Sequence, residues 1–387
     1  MKIINAHVFL DGVFQDISVS FNDRIITALD DPFEDEIIDG KGCFLYAGII
    51  DPHCHGAYLR SFRRDPGYTS MGTHQQQIRD LLALLPQSGV TSVFPTLSGD
   101  DFEAIRESII TMRNMKDSCR GAEILKYHLE GTYVTLDRYV FPGRPGPDTK
   151  HTDWLVSDRY DDIALISAAP EAEGALPWID YVVSKGVMPE LCHSKATADE
   201  VRIAADHGML MADHLFNGLP VMHHRISGPN EGVLLDDRIR IQINTDGYHV
   251  NPVWVRLAIR VKGLKNCIGI TDLQACAGLS DGIHQLDDGS ILEVRDGFGY
   301  RPDGHIKGGN SVMNEMMRRA RDVCGLTMEE VGSLFAENTA EILGIKDRGK
   351  IERGRKSDLV LMDRDYNVLL TIINGRVFYR NPAYDLY

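Results

Sequence analysis

Paired cysteines and positive charge are both scarce in this chain of 387 residues. The seven cysteines, at positions 43, 54, 119, 192, 267, 276 and 324, are odd in number and contain no Cys-x-x-Cys pair. That excludes a disulfide framework of the kind that staples small secreted domains. The thiols read as small core residues of a protein kept in the reducing cytoplasm. Lys and Arg total 41 against 56 Asp and Glu, a net charge of −15. A duplex-binding surface needs a basic footprint, so nucleic acid is not an expected partner. The densest Arg cluster, Arg318-Arg319-Ala320-Arg321, is short and reads as a solvated helix face. Long apolar runs are missing too. Stretches such as Phe44 to Asp51 fall far short of the ~20 residues a spanning helix needs, so no membrane association is expected. The opening Met1-Lys2-Ile3-Ile4-Asn5-Ala6-His7 mixes polar and apolar residues and soon meets Asp11 and Asp16, unlike a secretory signal. Hydrophobic residues at 43% and charged residues at 25% are what a soluble globular chain carries.

Both ends read as β structure. Residues 1–9 form a strand-like run, and Asp11-Gly12 signals a hairpin into Val13-Phe14. Asp16 to Phe21 and Arg24 to Ala28 follow as short strands. At the other end, Ser357 to Met362, Val368 to Ile373 and, after the turn Asn374-Gly375, Arg376 to Tyr379 give three more. Between the ends the pattern alternates strand and helix. The candidate strands are Leu45–His53, Thr91–Thr96, Lys126–Leu129, Ile163–Ala168, Met188–His193, Leu210–Leu215, Ile239–Thr245 and Cys267–Thr271. Thr197 to Glu200 and Thr327 to Glu330 are capping boxes that open helices. Eight such units match a (β/α)8 TIM-type barrel over residues 49–345, which typically takes ~250 residues. The expected fold class is α/β: that barrel, with a small β-sandwich domain made from residues 1–48 and 346–387.

A barrel of this kind carries its chemistry at the C-terminal strand ends. The first strand ends Ile50-Asp51-Pro52-His53-Cys54-His55-Gly56. Residues two apart in a strand share a side, so His53 and His55 can offer two imidazoles to one cation, or stand as two polar strand-end residues. The third strand ends His128-Leu129-Glu130-Gly131. Glu130 there needs a cation, a hydrogen-bonding partner or exposure, with an ion pair to Arg60 or Arg63 as the alternative. His193 and His214 end the fifth and sixth strands one βα repeat apart, and so occupy equivalent positions. Together with a carboxylate and a His-x-His on other strands they fit a divalent site. Asp272, ending the eighth strand, can move a proton between water and a leaving group, or orient a histidine. His249, after the seventh strand, reads as a substrate contact or a solvated loop histidine. Asn217-Gly218 offers backbone N–H groups, and Arg225 lies a few residues on. That pairing suits a carboxylate or phosphate, unless Arg225 is tied to Glu231.

These residues, in this order, resemble the amidohydrolase superfamily and, within it, the N-acetylglucosamine-6-phosphate deacetylase family. The motifs are Ala47 through Gly56, Gly89-Val90-Thr91-Ser92, His128-Leu129-Glu130-Gly131, His193-Ser194-Lys195-Ala196-Thr197 and His214 through Leu219. They continue with His223-His224-Arg225, Asp246-Gly247-Tyr248-His249, Thr271-Asp272 and Gly349 through Val360. The resemblance implies a divalent metal, zinc first and iron as the other option, held by Glu130, His193 and His214. A second ion can sit at His53 and His55, with Glu130 bridging. It also implies attack by a metal-bound hydroxide on the acetamide of an amino-sugar phosphate. Asp272 then acts as base and afterwards as acid, and His249 sits on the scissile carbonyl. Arg225 and the Asn217-Gly218 backbone hold the phosphate, in a homodimer. The sequence departs from the family pattern at Thr132, where Pro is usual, at Phe141-Pro142-Gly143-Arg144-Pro145-Gly146, and at Lys307-Gly308-Gly309. The other expectation is an amidohydrolase for a different amide, a cyclic amide or a deamination. The cyclic-amide branch usually has a carbamylated Lys after the fourth strand, and Asp162 through Glu171 contains no Lys. A non-catalytic scaffold should have lost ligand positions, and all six residues are present.

Overall fold

A computed structural model describes residues 1–32, 36–135, 145–296, 298–300, 304 and 306–386. Eight parallel strands form the barrel, here labelled β1 (Ile49–Cys54), β2 (Val90–Leu97), β3 (Tyr127–Tyr133), β4 (Ile163–Ala168), β5 (Met188–Leu191), β6 (Met211–Ala212), β7 (Arg240–Asn244) and β8 (Cys267–Ile270). Each pairs with the next, and a parallel bridge between Cys54 and Leu273 brings the last strand round to the first. β2 and β3 are buried at every position, as expected of parallel strands covered on both faces. Helices pack outside. That at Ala198–Asp206 starts where the capping box places it: Glu200 N donates to Thr197 Oγ1 at 3.3 Å, and Thr197 N to Glu200 Oε2 at 2.7 Å.

The two chain ends build one eight-stranded sheet. Lys2–Leu10 runs parallel to Ile37–Ala47, which pairs antiparallel with Leu359–Met362. The closing hairpin turns at Asn374 and Gly375, both at positive φ (48° and 69°), as a two-residue hairpin of this twist requires. Between sheet and barrel lies Arg348, 3% exposed. Its Nη1 donates to Ser92 Oγ at 2.9 Å and Glu123 Oε2 at 2.8 Å, and lies 3.7 Å from Asp358 Oδ2.

Three features differ from the sequence expectation. The run Leu45–His53 is two strands in two sheets, divided at Gly48. A Cβ on Gly48 would lie 2.3 Å from Thr91 Oγ1, and its N–H donates to Asp358 O at 2.7 Å, so the chain crosses here through a gap with no room for a side chain. Asp16 to Phe21 is likewise divided, into Val13–Asp16 and Val19–Phe21. After β8 an unforeseen antiparallel meander, Gly282–Gln285, Ile291–Arg295, Phe298–Tyr300 and Ile306–Gly308, covers one side of the strand ends.

Candidate metal centre

Three carboxylates and four histidines converge at the C-terminal ends of the barrel strands. Glu130 lies within β3, and its Oε1 is 3.4 Å from both His193 Nε2 and His214 Nε2. The two imidazoles stack, with centroids 5.0 Å apart at 18°. Beside them, His53 Nε2 and His55 Nε2 stand 3.2 Å apart and each 3.3 Å from Asp272 Oδ1. Asp213, fully buried, lies with Oδ1 3.0 Å from His53 Nδ1 and Oδ2 3.6 Å from His214 Nε2. Neither Asp213 oxygen has a well-formed hydrogen bond among the described residues. Arg60 and Arg63 pair with Asp80 and Asp65, so an ion pair to either is not what holds Glu130.

Local backbone sets these directions. His193 and Asp272 both occupy the left-handed region, at φ 42° and 48°, which turns side chains at the strand ends inward. Gly218, at φ 60°, lies flat on the His193 ring: a Cβ there would be 2.2 Å from Cδ2. Under the cluster runs a buried polar layer. His128 Nε2 bonds Glu190 Oε1, which also accepts from Ser167 Oγ at 2.7 Å. Gln242 Nε2 donates to Glu190 Oε2 at 2.8 Å, and Gln242 Oε1 faces His53 Nδ1 at 3.1 Å. Thr271 Oγ1 donates to Asp51 Oδ2 at 2.6 Å. Burial lifts the Asp51 carboxyl to about 6.

Electrostatically the cluster is a cation trap. Burial opposes charge on Glu130 and Asp272, yet His214 and His193 around the first, and His53 and His55 around the second, hold both well below the usual carboxylate range. Burial also opposes a charged His214, but Asp213 and Glu130 outweigh it and lift the imidazole to about 9. His193 goes the other way, pushed by burial to about 4. The carboxylates thus favour positive charge in a closed space. The donor set fits a divalent cation there. Tetrahedral arms of ~2.0–2.2 Å put neighbouring donors roughly 3.3–3.6 Å apart, which matches the Glu130, His193 and His214 spacings.

The other expected site residues are less uniformly gathered. His249 is held by Asp246, with Nδ1 2.6 Å from Oδ2, and feels the charges of Asp272 and His214. Asn217 Nδ2 is buried with no hydrogen-bond partner among the described residues. Arg225 is exposed, and among the described residues only its backbone N bonds nearby, to His223 Nδ1 at 3.3 Å. Glu231 does not hold it, since Glu231 Oε2 accepts from Gly228 N at 2.9 Å. Residues 141–144 of the divergent segment lie outside the described residues. Asp213, Cys192, Asp246, Glu190 and Gln242 were not singled out from sequence. The first two are direct neighbours of His214 and His193, and that adjacency was the available signal.

Residues 44–378 match the model of the amidohydrolase family. The chain is 28% identical over 374 residues to the N-acetylglucosamine-6-phosphate deacetylase of Bacillus subtilis, covering 92% of this chain and 89% of that one. It is 25% identical over 378 residues to the N-acetylgalactosamine-6-phosphate deacetylase of Escherichia coli O157:H7, covering 95% and 96%. Among solved structures, the N-acetylglucosamine-6-phosphate deacetylase of Pasteurella multocida superposes with a TM-score of 0.87 at 27% identity, over 98% of this chain and 99% of that one.

Proposed function

The chain belongs to the amidohydrolase family, and from that premise we propose that it removes the N-acetyl group of an amino-sugar phosphate, releasing acetate and the free amine. The observation that carries this reading is the meeting of Glu130, His193 and His214 beside Asp272. Its full-length relatives include deacetylases of both N-acetylglucosamine and N-acetylgalactosamine 6-phosphates. Glu130, His193 and His214 hold the cation, and His53 and His55 can take a second. Zinc suits donors of this kind, with iron the alternative. When bound, the ion polarises the amide carbonyl and acidifies water.

The chain's own groups do the rest. Asp272, kept ionised by His53 and His55, accepts a proton from the attacking water and passes it to the departing amine nitrogen. His249 presents Nε2 to the carbonyl oxygen, because Nδ1 is occupied by Asp246. Burial opposes its charge, but the Asp246 carboxylate raises its pKa and favours the protonated, donating form. Arg225, with the Asn217 and Gly218 amides, takes the phosphate. We read residues 1–48 with 346–387 as one unit beside the 49–345 barrel, supported by the shared terminal sheet. Exposed Val253, Trp254, Leu257 and Val261 on the helix Pro252–Lys262 support a homodimer, and cysteines scattered through the core with no Cys-x-x-Cys pair support a cytoplasmic setting. Among the described residues no helix is long and apolar enough to cross a membrane.

The test is acetate release from N-acetylglucosamine 6-phosphate, N-acetylgalactosamine 6-phosphate and unphosphorylated N-acetylglucosamine, on protein of defined metal content. One phosphorylated sugar should be strongly preferred. Equal rates on phosphorylated and plain sugars would leave an amidohydrolase of different specificity.

A further inference from the structure

We propose that Cys192 is a donor to the same cation as Glu130, His193 and His214, making the centre a mixed nitrogen, oxygen and sulfur site that prefers thiophilic divalent ions. The inference rests on the metal role proposed above for those three residues.

Consecutive residues of an extended strand point to opposite faces. Cys192 and His193 follow directly on β5, and His193, at a left-handed φ of 42°, stands outside that alternation. Both side chains reach one oxygen: Cys192 Sγ lies 3.5 Å and His193 Nε2 3.4 Å from Glu130 Oε1. The donor atoms of Glu130, Cys192, His193 and His214 all lie within 4.8 Å of one another. Sulfur at ~2.3 Å and oxygen at ~2.0–2.2 Å from one tetrahedral ion stand roughly 3.5–3.7 Å apart, in line with the Cys192–Glu130 spacing. Cys192 is 1% exposed, so no ligand from solvent competes for its sulfur. Two anionic donors, thiolate and carboxylate, would also balance the charge of a dication in a buried place where net charge is costly. Zinc can widen to five positions, which leaves one for water or substrate.

The protein alone does not hold a thiolate here. A cysteine thiol with no cation on it is protonated at neutral pH. Binding therefore breaks the S–H bond, forms the S–metal bond and sends one proton to solvent. The rival arrangement keeps the S–H and uses it as a weak hydrogen bond to Glu130, with no sulfur–metal bond and no such proton.

The experiment loads chelator-treated full-length protein with cobalt(II) and records the near-ultraviolet spectrum. Proton release is measured by calorimetry in buffers of different ionisation enthalpy. Wild type should show a thiolate-to-cobalt charge-transfer band, absent from Cys192→Ala and Cys192→Ser, and should release one more proton per ion than either variant. Zinc affinity should fall at least about 10-fold in the variants, the low end of what displaced metal surroundings cost, and manganese affinity less. One bound cobalt per chain in wild type without the band, and without the extra proton, overturns the proposal. Should neither variant fold, the wild-type band and M–S scattering in its X-ray absorption decide it alone. Undiminished metal binding in Glu130→Gln would instead overturn the three-residue reading beneath it, whatever the sulfur does.

Discussion

His193 and Asp272 are two non-glycine residues in the left-handed region, at φ 42° and 48°. Each costs about 1–3 kcal/mol, and such strain persists only where its surroundings over-determine it. For Asp272 the surroundings are His53 and His55, both 3.3 Å away. Asparagine tolerates the same backbone, so Asp272→Asn should fold and keep a cation at Glu130, His193 and His214. It removes the proton carrier, and kcat/KM for the preferred sugar phosphate should fall at least about 100-fold. Turnover near wild type in the metal-loaded variant would place the base elsewhere. For His193 the constraint is Gly218, expected from sequence as a phosphate contact. Its tightest neighbour is the His193 ring, at 2.2 Å and 2.8 Å from Cδ2 and Nε2 for an added Cβ. Gly218→Ala must therefore displace a metal-centre imidazole. Equilibrium dialysis should show metal affinity about 10- to 100-fold weaker, the range seen when groups that orient ligands are lost. Unchanged affinity would show that the ring has room to yield.

At the scale of elements, Arg348 ties the barrel strand β2, through Ser92, to the terminal sheet, through Asp358. Arg348 and Asp358 side chains are each 3% exposed. Removing the cation strands a buried carboxyl, so Arg348→Ala should lose about 3–5 kcal/mol at neutral pH by denaturant unfolding. Glu123 sets the pH dependence. Burial raises its pKa, but Arg348 and Lys356 outweigh burial and leave it lowered. Its contribution is therefore present above the unfolded carboxyl pKa and lost as pH falls through the lowered value. The gap between wild type and variant should narrow on acidification, and a gap that widened would refute the assignment. The barrel strands were legible because largely apolar runs such as Ile163–Ala168, buried at nearly every position, leave a continuous signature. The meander was not, since its first strand, Gly282–Gln285, is mostly exposed and carries no apolar period. The pairs Asp281-Gly282, Asp288-Gly289, Asp296-Gly297 and Asp303-Gly304 hinted at turns but not at strands between them. Nor was the π-turn at Ser333–Glu337 inside the final helical run. The same apolar residues, Leu334 and Phe335, suit either winding, and Phe335 packs so closely on Gly269 that a Cβ there would lie 2.4 Å from its ring. At the centre, His53, His55, Glu130, His193, His214 and Asp272 stood out because charged strand ends are costly. Glu190 and Gln242 act through partners distant in sequence, and only the closed barrel shows them.

The whole molecule carries a net charge of −15, so its long-range field repels an anionic substrate. A sugar phosphate must then be held by a few local donors strong enough to overcome that field. Arg225 is exposed, and no side-chain partner for it occurs among the described residues, while Glu231 is engaged in capping the helix Pro229–Leu235. Asn217 Nδ2 is buried, with no hydrogen-bond partner among the described residues. Val221 and Ile226, 93% and 70% exposed, lie near Arg225 on the same loop. Anchoring energy from the phosphate is remote from the amide, and part of it serves to hold the acetamide over the metal centre. Arg225→Ala should thus raise KM steeply for the phosphorylated substrate and lower its kcat/KM by about 10- to 1000-fold, given ~1.5–3 kcal/mol for a charged hydrogen bond and more for a bidentate one. The plain N-acetyl sugar never uses that contact, so its slow turnover should be the same in wild type and variant. Steady-state kinetics on the two sugars side by side separates these outcomes. An equal loss on both would mean that Arg225 supports the loop rather than the phosphate.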